Sequence, residues 1–234
     1  MIKAMLAGKS PLDAYVAAVL AKGPSMFLKM QESSGNLADA TGNGNNGVAT
    51  SGTPTYGEPG PAHGVNAVGF DGACHFVVGD TASFSASTSA FTVEVWVKAT
   101  TAATQSVIQK TNGTLEQWAL TLPASNHYFQ IKNTLNNGYL DAFALGSQTG
   151  GWQHLVGVCD GATGPARLYL DGVEVSTDST TTGTRRGAAG YPILIGRRSS
   201  GVQQLTGLVT MVAFYPRALS AAEIVENRSI MLGN

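Results

Sequence analysis

The chain has 234 residues, and only 12% of them are charged, against about 25% in a typical globular domain. Gly, Ser and Thr number 29, 18 and 23, together 70 residues or 30%, while 43% are hydrophobic, so charged disorder and a long charged helix are both excluded. A net charge of −1 and a pI near 6.4 argue against a general nucleic-acid binder and leave a β-rich chain whose length suits one large sandwich.

The first expected element is a helix. Ser10 can cap it, Pro11 suits its first position, and Asp13 stands where a capping-box acid belongs. Leu12, Tyr15, Val16, Val19 and Leu20 then recur on one face, and Gly23-Pro24 stops the pattern. Residues 1–24 thus read as an arm ahead of one domain over 25–234. Two readings of the apolar stripe stay open. It packs on its own sheet, or it anchors the domain to a larger assembly. A signal peptide reads poorly, since Lys9 and Asp13 interrupt any apolar run, and no stretch approaches the ~20 apolar residues of a membrane span.

From Met26 onward the pattern is one of short strands. The glycine-rich stretch between Gly35 and Gly64 reads as loop. Strands are expected over 66–71, 74–78, 91–97, 105–110, 116–122, 127–132, 139–145, 152–159, 166–170, 173–175, 192–197 and 208–215. Turn residues separate them at near-regular intervals, the signal of an all-β sandwich. Phe91 to Val97 alternates with period two, and Asp171-Gly172 supplies the positive φ angles of a two-residue hairpin turn. A second helix closes the chain, with Ser220 and Glu223 as capping box and Leu219 with Ile224 as staple. Cys74 and Cys159 lie in strand-like runs and read as buried thiols more readily than as a bridge.

Several of these segments, in this order, resemble a known family. They are Gly69-Phe70-Asp71-Gly72, Phe91 to Lys98, Trp152-Gln153-His154-Leu155-Val156, Leu168 to Gly172, and Arg217 to Ile224. Together with Leu28 to Gly47 they are similar to the laminin-G-like branch of the concanavalin-A-like lectin/glucanase group. The resemblance covers about residues 25–228 and implies an all-β jelly-roll sandwich of two antiparallel sheets, flanked here by short N- and C-terminal helices. The opening, Ala21 to Pro24 and then Phe27 to Gly35, resembles laminin-G-like domains in virion proteins of bacteriophages infecting actinobacteria. That resemblance implies a virion-surface module for adhesion or decoration on a capsid or tail. Its partners would be other virion proteins, host or environmental glycans, or further copies of the chain, without nucleic acid or membrane. A carbohydrate-binding adhesion domain of a cellular, extracellular protein is the alternative, and a glycoside hydrolase a distant third.

The residues weigh against hydrolysis. A retaining glucanase needs two carboxylates about 5–5.5 Å apart, yet the best strand offers Glu94 alone among Val and Trp. Trp96 and Trp152 read as inward core residues, and His75 and His154 as satisfied strand histidines. No catalytic residue and no cofactor is therefore expected. Many laminin-G-like domains hold calcium, and Asp39, Asn43, Asn45 and Asn46 offer hard oxygen ligands on a flexible loop. Where relatives carry an Asp-Glu pair that completes the ion site, this chain has Thr210 and Met211, so calcium binding is expected to be weak if it occurs. Ligand-binding candidates are Tyr56, Asn112, Tyr139 and Tyr191, with the arginine pairs Arg185-Arg186 and Arg197-Arg198. Residues 181–234 hold six Arg against two acids, a charge asymmetry able to orient a charged partner. Asn112-Gly-Thr and Asn227-Arg-Ser match the glycosylation pattern.

Overall fold

In the computed structural model, residues 8–84, 89–112, 115–133, 139–180, 185–187, 189–198 and 201–234 are described. Helix α1 (Pro11–Ala21) precedes strands β1 (Met26–Leu28), β2 (Val48–Ser51), β3 (Thr55–Pro59), β4 (Asn66–Asp71), β5 (His75–Val78), β6 (Phe91–Ala99) and β7 (Gln105–Thr111). Then follow β8 (Glu116–Leu122), β9 (His127–Lys132), β10 (Tyr139–Ala144), β11 (Gln153–Cys159) and β12 (Ala166–Leu170). The chain ends with β13 (Val173–Asp178), β14 (Ile193–Ile195), β15 (Thr206–Tyr215) and helix α2 (Ala221–Leu232). An eight-stranded sheet runs β13-β12-β11-β6-β15-β4-β3, with β1 also paired to β15. A seven-stranded sheet runs β10-β9-β8-β7-β14-β5-β2. The described pairings are antiparallel, as the jelly-roll expectation requires.

Alternation along each strand sorts side chains between two faces. On β6, Val93, Val95 and Val97 enter the core between the sheets. They meet Ile108, Trp118, Leu120, Phe129 and Ile195 from the seven-stranded sheet. At its centre Phe214 stacks on Phe91 with centroids 5.6 Å apart and 9° between planes, and on Trp118 at 5.7 Å. Gly157 is required here, because any Cβ on it would run into the Phe129 ring.

Trp96 is buried, but not with those valines. It faces the other way, into a second core with Tyr15, Val19, Phe27, Tyr169, Tyr215, Leu219 and Ile224. That core is the eight-stranded sheet's outer face, roofed by α1 and α2, which pack on each other. Trp152, half-buried just before β11, packs against the same cluster.

Both helices carry the expected ends. Ser10 Oγ accepts from the Asp13 amide, and the Ser220–Glu223 capping box is complete. Asp171 and Gly172 have φ of 51° and 81°, giving the two-residue turn between β12 and β13. Cys74 and Cys159 are free and buried, and burial is the main cause that pushes each thiol up to about 11.

The Gly35–Gly64 stretch is only partly loop. It contains β2 and β3, which end the two sheets as edge strands. Both pair through register shifts, where edge positions tolerate glycine and proline that a central strand would not.

Candidate functional site

Beneath the two helices, the outer face of the eight-stranded sheet is organised around one acid. Glu94 is fully buried. Its carboxylate accepts from Tyr15 Oη at 2.9 Å, Tyr215 Oη at 2.7 Å and Asn227 Nδ2 at 2.9 Å, and lies 2.7 Å from His154 Nε2. Trp96 Nε1 donates to Tyr15 Oη at 3.3 Å, and the Trp96 and His154 rings stack at 4.8 Å. Burial pushes the Glu94 carboxyl up, but the hydrogen bonds from His154, Tyr215 and Tyr15 outweigh it and hold the group below its ordinary value. Burial beside Glu94 pushes both phenols well above theirs. These contacts join α1, β6, β11, β15 and α2. No substrate can reach the acid, so its chemistry is structural.

Three sequence expectations meet at this hub. Tyr15 and Val19 are fully buried on the protein's own sheet, with Leu12 and Val16 packed beside them and Leu20 at the exposed margin. The stripe is thus occupied within the domain. His154 is the strand histidine expected but is only half satisfied, with Nε2 on Glu94 and Nδ1 without a partner among the described residues; His75 Nδ1 likewise has none. Asn227 is buried with its amide on Glu94, which closes that sequon to glycosylation.

The seven-stranded sheet presents a different outer face. Gln109 pairs with Leu194 on one side and Ala119 on the other, Ala119 pairs with Gln130, and Gln130 pairs with Asp141. Their neighbours Ile108, Leu120, Phe129, Ile131 and Leu140 fill the core, so this row points outward. Gln130 Nε2 donates to Asp141 Oδ1 at 3.1 Å. One step along, Tyr128 lies directly across from Phe143, with rings 5.3 Å apart at 18°, and Phe143 is 44% exposed.

Two loops lean on this floor. Gln117 Nε2 donates to the Arg186 carbonyl at 2.8 Å, and Gln109 Nε2 to the Arg197 carbonyl at 3.2 Å. Each glutamine is fully buried and leaves its Oε1 without a partner among the described residues. The Arg186 amide donates to the Lys132 carbonyl at 3.0 Å, and Arg198 Nε bonds Glu116 at 2.8 Å. Burial pushes the Lys132 ammonium down, and Arg198 and Arg186 add to the shift against Glu116 and Asp141. Burial lowers His75 on β5, with Arg197 as the second cause.

The sequence candidates are dispersed more than they are gathered. Arg186 and Arg198 both act on Lys132, whereas Arg197 acts on His75 of β5. Arg185 does not join them. It is 4% exposed, with its guanidinium on Cys159 Sγ and, at 2.6 Å, on the Gly164 carbonyl. Tyr191 is half-buried, and its carbonyl accepts from the interior Lys110 ammonium at 2.7 Å. Tyr56 donates to the Gly35 carbonyl and packs on the inter-sheet core. Asn112 closes the β7–β8 turn, accepting from the Leu115 amide at 2.8 Å. The Tyr139 side chain lies outside the described residues. Sequence reading missed Gln109, Gln117, Tyr128, Gln130, Asp141 and Phe143. The alternation over 127–132 and 139–145 carried the signal, because core residues at every second position leave the intervening ones facing out.

The Asp39 loop is held by its own hydrogen bonds. Asp39 accepts from the amides of Phe27, Thr41 and Asn45 at 3.0 Å each, and from Thr41 Oγ1 at 2.8 Å. Asn43 and Asn45 both donate to the Ser25 carbonyl, and Asn46 accepts from the Asp39 amide. N–H and O–H groups therefore occupy the directions a cation would need. The residues do not fit calcium in this arrangement, and among the described residues no three His, Cys, Asp or Glu side chains gather as metal ligands. At the position of the absent acid pair, Thr210 Oγ1 lies 2.8 Å from the Asn66 carbonyl, and Met211 takes φ 53° at a bulge in β15.

One cleft of about 220 Å³ brings two acids together, Glu58 and Asp71, with Thr55, Thr100 and Thr206. Asp71 is committed to the amides of Cys74 and Ala73, which hold its carboxyl below the usual range, the reverse of what a general acid needs. No described helix is long and apolar enough to cross a membrane.

Comparison with known proteins agrees with this geometry. The binding domain of botulinum neurotoxin serotype G superposes with a TM-score of 0.69 at 10% identity, covering 89% of this chain and 51% of that one. The binding domain of Paraclostridial Mosquitocidal Protein 1 gives 0.67 at 15% identity, covering 89% and 52%. The botulinum neurotoxin serotype D ligand binding domain, in complex with N-acetylneuraminic acid, gives 0.65 at 14%, covering 92% and 52%. The chain thus spans about half the length of these structures, and at such identity the likeness is one of fold. No curated protein matches the sequence. Residues 70–225 match the laminin-G-type family described as the concanavalin A-like lectin/glucanases superfamily, and the chain belongs to it.

Proposed function

We propose that the protein is a non-enzymatic, lectin-like module that binds glycans on the outer face of its seven-stranded sheet. One observation carries this reading. The eight-stranded sheet's outer face is sealed by helices, whereas the other carries amides, a carboxylate and a stacked aromatic pair. Sugar sites combine such groups, with amides and acids fixing hydroxyls and an exposed ring meeting the apolar face of the sugar. The serotype D domain in complex with N-acetylneuraminic acid supports the reading at the level of fold.

A glycan array tests it, followed by titration of any hit against Gln130→Ala and Phe143→Ala. Both variants are expected to weaken binding at least tenfold with the fold intact. Binding that survives both, or an array with no hit, overturns it. The finer setting, adhesion or decoration on a phage capsid or tail beside other virion proteins, rests on the resemblance of residues 21–35 alone. Its test is co-purification with assembled particles from the native host. An adhesion domain of a cellular protein would bind the same glycans and be absent from particles.

A further inference from the structure

We infer that the side-chain amide of Gln31 occupies a cation's place among converging oxygens, so that the junction of β1, β4 and β15 is closed without a metal. The inference is independent of the glycan-binding reading.

Four oxygens surround one nitrogen. Gln31 Nε2 lies 2.7 Å from the Asn66 carbonyl, 3.0 Å from that of Lys29, 3.3 Å from that of Met30 and 3.3 Å from Thr210 Oγ1. They come from three segments distant in sequence: the chain leaving β1, the first residue of β4, and the bulge in β15. Hard cations are held by oxygens gathered in this manner. Converging carbonyls repel one another unless something positive stands between them, and an amide NH2 supplies two polarised N–H groups. Thr210 Oγ1 brings a third hydrogen, 2.8 Å from the Asn66 carbonyl and 3.0 Å from that of Lys29. Three hydrogens therefore meet three carbonyls.

The amide cannot turn over. The Asn66 N–H donates to Gln31 Oε1 at 2.9 Å, so the reverse orientation would set that N–H against an NH2 and put an oxygen among the carbonyls. The backbone is bent toward the same point. Met30, fully buried, has φ of 56°, and Met211, next to Thr210, has 53°. Residues other than glycine rarely adopt that region, and here it accompanies two successive carbonyls aimed at one nitrogen. All four oxygens are neutral, because Thr210 stands at the position of the absent acid pair. A divalent cation entering here would have to displace the amide and would gain no carboxylate in exchange.

The test follows melting in millimolar calcium and in excess EDTA. The wild type is expected to differ by less than about 1 °C between the two. Gln31→Ala takes the nitrogen out of the cage and is expected to lower Tm by about 3 °C or more, whatever the metal content. Gln31→Ala combined with Thr210→Asp opens the position and supplies the missing charge. That double variant is expected to gain about 5 °C or more on adding calcium, with magnesium giving less. A wild-type Tm that rises in calcium or falls in EDTA overturns the inference. So does a Gln31→Ala variant as stable as the wild type, because the carbonyls would then need nothing between them. A double variant that melts alike in calcium and EDTA also overturns it, since the position would not be a cation's.

Discussion

The outer faces of the two sheets begin from the same strand alternation and end in opposite states. On the eight-stranded sheet, Thr92, Glu94 and Trp96 face away from the sandwich and are sealed beneath two helices. On the seven-stranded sheet, Tyr128, Gln130 and Asp141 occupy equivalent outward positions, and among the described residues no helix lies over them. The polar groups differ accordingly. Glu94 has its lone pairs filled by four side chains from four elements. Gln109 and Gln117 spend their donors on loop carbonyls and keep an acceptor unpartnered. Unpartnered buried atoms occur on both sides, His154 Nδ1 and Asn227 Oδ1 in the hub and the two glutamine Oε1 atoms under the loops, so the faces differ in what covers them and in the exposure of Gln130 and Phe143.

The contrast is sharpest for Glu94→Ala. Removing a buried acid with four donors around it should cost about 3–5 kcal/mol, read as a fall in the urea midpoint. Glycan binding measured well below the new midpoint should be unchanged, since no binding-face residue touches Glu94. A variant of wild-type stability would show that the hub does not hold the helices down.

Acid titration separates the two sheets next. His127, at the start of β9, is 1% exposed and lowered to about 4, mainly by burial. Between pH 6.5 and 4 the unfolded chain therefore binds more protons than the folded one. Stability on the order of 3 kcal/mol is present above pH 6.5 and lost as pH falls to 4. His127→Gln should flatten that limb. Glu94, held below its ordinary value, contributes stability that is present above pH 4.5 and lost only below it. Denaturation midpoints across pH 3–8 should thus show two limbs, the upper reduced by His127→Gln to the part that the lowered His75 supplies and the lower remaining.

Tyr15→Phe deletes one donor to Glu94 and should cost about 1.5–3 kcal/mol. A protease-accessibility assay should show α1 loosening first. Arg186→Gln, on the other face, should change stability by no more than about 0.5 kcal/mol. A larger loss would mean that this arginine is part of the scaffold.

Much of the fold was legible because it rests on local chemistry. The Ser10 and Ser220 caps, the Asp171-Gly172 turn and the core valines of β6 each follow from a few adjacent residues. The site was less legible. Alternation marks Trp96 as buried but cannot tell which side of a sheet is roofed, because that depends on α1 and α2, both distant in sequence from β6. Glu94 looked like a lone acid on a strand because its donors come from residues 15, 154, 215 and 227. The arginine pairs were visible, yet only the folded chain separates Arg185, inserted beside Cys159, from Arg186, held at the outer face of the seven-stranded sheet.

The central claim is that the unroofed face binds and the roofed face supports. Backbone amide shifts recorded on titration with a glycan that binds test it most directly. The account predicts perturbations clustered at residues 116–119, 128–132, 141–143, 186 and 197–198, with the amides around Glu94 unmoved. Perturbations centred on the Glu58–Asp71 cleft, or on α1 and α2, would contradict it.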